Sequence, residues 1–169
     1  IALLLAAALL TAQLIVQATP PSAPPSAPSP NLASIHPINP KIGVHTRLTD
    51  EPDAQKIVQN MQMVRAMGAS WGVEYFPWSY IQPTDANHYD WQHADEVVNA
   101  AAASNLTLIA RIDGVPAWAR PEHPDPQMWR YLGATHYSQF ASFVAAFIAR
   151  YHDRVHYFII WNEQNTAAE

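Results

Sequence analysis

Apolar and polar positions alternate along this chain in blocks that predict strands and helices in turn. Short apolar runs predict four strands, and longer segments with apolar residues every three or four positions predict the helices between them. The predicted strands are Lys41–His45, Trp71–Phe76, Leu106–Ile112 and Val155–Glu163. The last of these is almost continuously apolar, which is typical of a strand buried on both faces of a parallel sheet.

Three predicted helices follow the first three strands, and each has one apolar face. The first starts at Thr49-Asp50-Glu51-Pro52 and ends at Gly68, and its apolar face consists of Ile57, Met61, Val64 and Met67. The second covers His93–Ser104 and stops at Asn105. The third has the clearest stripe, formed by Phe140, Phe143, Val144, Phe147, Ile148 and Tyr151. We expect these faces to pack against a sheet.

The alternating units predict an α/β fold with a parallel sheet and right-handed crossovers. Long predicted loops, Pro77–Trp91 and Asp113–Gly133, follow the second and third strands at their carboxyl ends, as in a (β/α)8 TIM barrel. A complete barrel needs about 250 residues, and about four of its eight units are present here. Half a barrel leaves two sheet edges unpaired. We therefore expect the N-terminal half of a (β/α)8 barrel, truncated at both ends.

The N-terminal segment differs in composition from the rest of the chain. Residues 1–18 are rich in Leu and Ala and carry no charge, so they resemble the apolar core of a signal peptide, with a membrane anchor as the alternative. Residues 19–40 are dominated by Pro, Ser and Ala and predict an extended linker. Under either interpretation, we expect the folded domain, residues 41–169, to be exported to the cell surface or the extracellular space.

Composition argues against several classes of function. The 169-residue chain has a net charge of −5 and only scattered Lys and Arg, which argues against nucleic-acid binding. Cysteine is absent, so disulfides and cysteine-ligated metals are excluded. The eight histidines do not cluster at metal-ligand spacing, and no glycine-rich phosphate-binding motif follows a strand. We therefore expect neither a metal nor a cofactor.

Glu163 is the strongest candidate for chemistry. It ends the apolar run that begins at Val155, and α/β proteins bind ligands at the carboxyl ends of their strands. Apolar surroundings, to which Trp161 would contribute, raise the pKa of a carboxyl group, so that it holds a proton near neutral pH. The alternative is a salt-bridged carboxylate, with Asn162 beside it as a turn-forming residue.

These residues resemble those of a known group of enzymes. Trp161-Asn162-Glu163 at the end of a fourth strand is similar to the acid/base motif of clan A glycoside hydrolases. Trp78-Ser79-Tyr80-Ile81-Gln82-Pro83 and Tyr89-Asp90-Trp91 resemble the segment after the second strand in families 5, 39 and 42. The resemblance covers roughly Lys41 to Asn165. Gln164 stands where these families often have proline, and the second strand lacks their arginine.

The resemblance implies a retaining glycosidase on a (β/α)8 barrel, acting on β-linked poly- or oligosaccharides in carbohydrate catabolism. Glu163 would be the general acid/base, and Asn162 would be the amide that binds the sugar 2-hydroxyl. The nucleophile would be a second glutamate after a seventh strand, outside this sequence, so we expect residues 1–169 alone to be inactive. Two alternatives stay open: a non-catalytic carbohydrate-binding surface protein on the same scaffold, and a barrel enzyme of another class.

Further side chains are predicted to contact the carbohydrate. Trp118 and Trp78 follow the third and second strands, where aromatic rings can stack on sugar C–H groups. Arg111 on the third strand would supply the cation that the resembled families carry on the second strand. Glu74 is the expected partner of Arg111, either in the barrel interior or in a purely structural ion pair.

Overall fold

The computed structural model describes residues 40–121 and 130–163. The predicted signal peptide or anchor, residues 1–18, and the predicted linker up to residue 39 lie outside this described part. Within residues 40–121 and 130–163, no helix has the length and the apolar character needed to cross a lipid bilayer.

Within the described residues, four strands form one parallel sheet in the order in which they occur along the chain. They are β1 (Val44–His45), β2 (Trp71–Pro77), β3 (Thr107–Asp113) and β4 (Val155–Ile160). Each strand pairs in parallel with the next one in sequence. The prediction of four parallel strands is confirmed, and the carboxyl ends of all four strands therefore meet at one edge of the sheet.

Helices connect the strands as the apolar periodicity predicts. They are α1 (Ala54–Ala66), a short α2 (Trp78–Ile81), α3 (Gln92–Ala103) and α4 (Tyr137–Tyr151), with single 3-10 turns at Ala117–Ala119 and Ala134–His136. The first helix begins later than predicted, because the Asp53 side chain caps it by accepting a hydrogen bond from the Gln55 N–H. Gly68 and Asn105 both have positive φ angles, of 88° and 53°, and end α1 and α3 as expected.

One hydrophobic core lies between the sheet and the helices. The predicted faces supply much of it: Ile57, Met61 and Val64 from α1, and Phe143, Phe147 and Tyr151 from α4, are buried. Burial alternates along β2 and β3, so one face of each strand is covered by helices and the other face is only partly buried. Met67 and Ile148, at the margins of their stripes, are exposed.

The fourth strand is not buried on both faces, contrary to the prediction from its apolar run. Val155 is buried, but Tyr157, Ile159 and Ile160 are exposed. Among the described residues β4 pairs with β3 only, so its other edge has no neighbour. The apolar pattern of the strand marks surface that needs covering, and the described residues do not cover it.

Candidate active site

A cavity of about 460 Å³ opens at the edge where the carboxyl ends of the four strands meet. Each strand or the loop that follows it contributes to the wall. Its described lining is His45, Thr46, Arg47, Thr49, Asp50, Tyr75, Pro77, Ser79, Tyr80, Arg111, Asp113, Arg130 and Asn162. The lining is polar and carries charges of both signs, which is an arrangement suited to a hydroxyl-rich ligand.

Tyr75, Arg111 and Asp113 form a connected group on one face of β2 and β3. Tyr75 and Arg111 are partners in the strand register, and the Arg111 guanidinium carbon lies 4.5 Å from the centre of the Tyr75 ring. Arg111 Nε lies 3.2 Å from Asp113 Oδ2. Burial, and then the hydrogen bond from the Tyr75 hydroxyl to Asp113, raise the pKa of Tyr75 well above its usual value. Tyr75 is therefore a neutral hydrogen-bond donor at physiological pH.

Gly114 allows Tyr75 to approach the backbone at the end of β3. Its φ angle is +78°, a conformation that L side chains rarely adopt. A Cβ atom at this position would overlap the Tyr75 hydroxyl and lie 3.2 Å from Pro77 Cβ. The absence of a side chain at position 114 therefore allows the Tyr75 hydroxyl to sit against the backbone that follows Asp113.

Glu74 does not pair with Arg111, so the expected Glu74–Arg111 pair is wrong. In the register of β2 and β3, Glu74 lies opposite Ala110 while Arg111 lies opposite Tyr75. Because successive side chains of a strand point to opposite faces, Glu74 and Arg111 lie on different sides of the sheet. The Glu74 side chain is fully buried, and the cation faces the cavity.

The buried Glu74 carboxylate instead holds the loop that follows β1. Its Oε2 accepts a hydrogen bond from the Leu48 N–H at 3.0 Å, and its Oε1 accepts one from the Thr49 hydroxyl at 3.0 Å. Oε1 also accepts the Tyr75 N–H at 2.9 Å. On the other side of this loop, His93 Nε2 lies 2.9 Å from the Leu48 carbonyl oxygen. These contacts fix the loop that brings Arg47 and other polar side chains to the cavity.

Asn162 reaches the cavity that Arg111 also lines, which brings together two of the five residues predicted for substrate and catalysis. Glu163 follows directly but is exposed, on a backbone with a φ angle of +45°. The Trp161 ring packs against Phe140 of α4, with ring centres 5.7 Å apart. The described residues therefore do not form the apolar wall that was expected around the Glu163 carboxyl group, and its acid role stays a prediction.

Trp78 is a core residue, so its predicted role as a sugar platform is wrong. Its side chain is fully buried and stacks on Phe143 of α4 with ring centres 5.7 Å apart. Its Nε1–H donates to Gln82 Oε1 at 2.6 Å. A residue that follows a strand can point toward the cavity or toward the helices. Here the Trp78 ring points toward the helices and packs against the aromatic stripe of α4.

Trp118 connects two loops and is not among the described residues that line the cavity. Its Nε1–H donates to the Gln82 carbonyl at 2.8 Å, and its half-buried ring meets Trp78 edge-on at 5.1 Å between centres. The ring thus braces the loop after β3 against the loop after β2. Its predicted contact with carbohydrate stays untested.

Sequence reasoning missed Tyr75, Thr49 and Tyr80, which all line the cavity. Strand parity was the available signal for Tyr75, because Tyr75 and Arg111 share a face once β2 and β3 are placed in register. No comparable signal existed for Thr49 and Tyr80. They reach the cavity through the path of the loops after β1 and β2, and a hydrophobicity pattern does not specify that path.

A comparison with protein-family models gives a match for this chain. The family model of glycoside hydrolase family 42, described as beta-galactosidase, matches residues 49–158, which is more than half of the chain. The chain belongs to glycoside hydrolase family 42. The family 42 match includes all of β2 and β3 and ends inside β4, before Asn162. The predicted resemblance to clan A glycoside hydrolases is confirmed. No curated protein sequence matches the chain.

Solved structures show the same fold at low sequence identity. A family 39 glycoside hydrolase from the gut symbiont Bacteroides cellulosilyticus WH2 is 16% identical with a TM-score of 0.54, over 73% of this chain and 25% of that one. The catalytic domain of beta-amylase from Paenibacillus polymyxa is 13% identical with a TM-score of 0.53, over 70% and 36%. GH5_18 from Bifidobacterium longum subsp. longum is 13% identical with a TM-score of 0.52, over 67% and 31%.

This family 42 chain therefore spans only about a quarter to a third of the length of the solved structures it matches. The described strands and helices correspond to part of a (β/α)8 barrel, in agreement with the fold predicted from the alternating pattern. The sheet that carries Arg111, Asp113 and Asn162 is accordingly one side of the barrel scaffold.

Proposed function

We propose that this family 42 chain forms one half of the active site of a retaining glycosidase that cleaves β-linked oligosaccharides or polysaccharides. The observation that carries the proposal is the polar cavity at the carboxyl ends of four parallel strands, where Arg111, Asp113 and Asn162 come together. Catalytic residues of barrel enzymes lie at this end of the strands. The family description makes β-galactosides the first substrates to test.

In this proposal Glu163 acts as the general acid and then as the general base. It donates a proton to the glycosidic oxygen as that bond breaks, and it later takes a proton from the water that releases the sugar. The first step requires a protonated carboxyl group, and hence a pKa above the ordinary value of about 4.3. Because Glu163 is exposed among the described residues, we propose that further strands pack beside β4 and supply the apolar surroundings.

The second carboxylate of the pair would be a glutamate outside this sequence. A retaining enzyme needs the two carboxyl groups about 5–5.5 Å apart, and we propose that a later strand of the barrel carries the nucleophile. Arg111 would stabilise the charge of that nucleophile from across the cavity, and the Asn162 amide would donate to the sugar 2-hydroxyl. The neutral Tyr75 hydroxyl keeps Asp113 oriented beside Arg111.

The first experiment is an assay of residues 1–169 with lactose and with an aryl β-galactoside. We expect no hydrolysis, since only one carboxylate of the pair is present. Turnover by this chain alone would show that the nucleophile lies within it, which contradicts the proposed division of the site.

The second experiment uses a polypeptide that carries this chain together with the rest of its barrel. Glu163→Gln should lower kcat/KM for lactose by roughly 10²–10⁴-fold, because the leaving group needs a proton, and should affect a dinitrophenyl galactoside far less. Azide should restore turnover of the aryl substrate and give a β-galactosyl azide. The control is Asp153→Asn, an exposed carboxylate paired with Arg154 just before β4. An equal loss on both substrates would exclude the acid role.

The exposed position of Glu163 favours a second candidate, a carbohydrate-binding protein that keeps the barrel without the chemistry. That candidate predicts that the complete barrel binds β-galactosides, does not turn over the dinitrophenyl substrate, and binds equally well after Glu163→Gln. We also propose that residues 1–18 direct export and that residues 19–40 separate the domain from the membrane or the cleavage site. Detection of the protein in the cytoplasm with residues 1–18 still attached would contradict this export.

A further inference from the structure

A second cavity, of about 450 Å³, lies next to the candidate active site. It is bounded by the carboxyl end of β2, by α2 and by the start of α3. The two cavities share four wall residues: Tyr75, Pro77, Ser79 and Tyr80. We call the cavity that contains Arg111 the inner cavity and the other one the outer cavity. The shared residues make the two cavities direct neighbours.

Tyr80 has the properties of an aromatic platform between the two cavities. Its side chain is 53% exposed, and it lines both cavities. Its hydroxyl donates to Asp50 Oδ1 at 2.7 Å, so the ring is tied to the loop after β1. A ring that is exposed yet held in one place offers apolar contact area at low entropic cost.

The outer cavity carries carboxylates and an amide on a largely apolar lining. Asp90 Oδ1 accepts the Gln92 N–H at 3.1 Å, and Gln92 Nε2 donates to Glu96 Oε1 at 3.3 Å. These groups accept and donate hydrogen bonds to hydroxyls, while the apolar lining suits the C–H faces of sugar rings. Its described lining contains no Lys or Arg, whereas the inner cavity contains three arginines. This charge distribution favours a neutral sugar over an anionic one.

We propose that the outer cavity is a distal sugar-binding site. The Tyr80 ring would stack on the oligosaccharide where it passes from the inner cavity to the outer one. The substrate class is then a neutral β-linked oligosaccharide of at least three sugar units, and not a disaccharide alone. This inference rests on the proposed function, because it takes the inner cavity as the site of the terminal sugar.

The test is the dependence of affinity on ligand length. The dissociation constants of galactose, β-linked galactobiose and β-linked galactotriose are measured by calorimetry with the complete barrel, in which Glu163→Gln prevents hydrolysis of the ligands during the measurement. We expect Kd to fall at least tenfold from galactose to galactotriose. In Tyr80→Ala this ratio should fall to about one- to threefold, since a stacking contact corresponds to roughly tenfold in affinity. Tyr80→Phe keeps the ring and should retain most of the ratio.

Two further variants make the result interpretable. Glu96→Ala changes a residue that lines the outer cavity and not the inner one, and it should also reduce the ratio. Tyr137→Ala removes an equally exposed tyrosine that lines neither of these cavities, and it should leave the ratio unchanged. An unaltered ratio in both Tyr80→Ala and Glu96→Ala would overturn the inference.

The outcomes also separate this inference from the proposed function. If galactose and galactotriose bind with the same Kd while Tyr80 and Glu96 are unchanged, the distal site is excluded and the proposed function stands. If none of the three sugars binds, the inner cavity is not a galactoside site, and both proposals fail for the substrates that the family description indicates. If affinity rises with length and depends on Tyr80, the outer cavity is part of the binding groove.

Discussion

Strands β3 and β4 lie side by side, yet they experience different surroundings. Ile112 on β3 is completely buried, while its register partner on β4, Ile160, is 45% exposed. The two residues are chemically identical, and both belong to apolar runs. β3 has a strand on each side, whereas β4 has a strand on one side only within the part of the chain that the structure describes. Burial therefore depends on what packs around a strand and not on the composition of the strand alone.

The same difference separates the carboxylates at the ends of these strands. Asp113, at the end of β3, is 4% exposed and contacts Arg111 and Tyr75. Glu163, just beyond β4, is exposed. The Asp113 carboxylate is oriented by the side chains that surround it, whereas the described residues provide no such surroundings for Glu163. The proposed chemistry of Glu163 thus depends on whatever covers β4.

The largest expected effect comes from the paired isoleucines. Ile112→Ala should lower the free energy of unfolding by about 3 kcal/mol, because it leaves a cavity in the packed layer between the sheet and the helices. Ile160→Ala should cost less than about 1 kcal/mol, since nearly half of the side chain is already exposed. Urea unfolding followed by circular dichroism measures both. Equal costs for the two variants would show that β4 is covered in solution.

A smaller contrast is expected between two glutamates. Glu74→Gln should lower the free energy of unfolding by about 2 kcal/mol, because at least one buried donor of the loop after β1 loses its carboxylate acceptor. Glu163→Gln should change it by less than about 0.5 kcal/mol. The same urea unfolding measures both glutamate variants. A negligible loss in Glu74→Gln would mean that Leu48 and Thr49 find other acceptors, and that the loop does not depend on this carboxylate.

The smallest of these effects concerns the end of β3. Gly114→Ala should cost about 1–2 kcal/mol, since position 114 has a positive φ and the new methyl group meets the Tyr75 hydroxyl. Adding Tyr75→Phe removes that hydroxyl and should recover part of the loss, which a double-mutant cycle by thermal unfolding detects. Strictly additive losses would show that the methyl group and the hydroxyl do not meet.

Much of the scaffold could be predicted from periodicity. The strand order, the apolar faces of α1 and α4 and the stops at Gly68 and Asn105 all follow from local patterns. The site was harder to predict. Arg111 and Asn162, both predicted from the sequence as binding residues, line the same cavity because they lie close to the carboxyl ends of adjacent strands.

The errors at the site share one cause. Trp78 turned into the core and Glu74 turned to the face opposite Arg111, and both outcomes depend on which side of the sheet a residue occupies. For Glu74 that side follows from the register between the strands, because a shift of one residue would place its side chain on the opposite face. For Trp78, the first residue of α2, it follows from the packing of the ring against α4. Tyr80 and Thr49 were missed because the path of a loop depends on contacts with distant residues, such as Asp50 with Tyr80 and Glu74 with Thr49.

The sequence by itself determined the repeating strand–helix units, the parallel order of the sheet and the resemblance to clan A glycoside hydrolases. These properties depend on spacing along the chain, and neighbouring residues alone establish them. Tertiary structure decided which polar side chains face the cavity and that Tyr75 contacts Asp113. It also decided that β4 and Glu163 lie at an edge that the described residues leave uncovered. Those properties depend on contacts between residues that are far apart in sequence. Burial and hydrogen bonding stabilise such contacts only once the chain has folded.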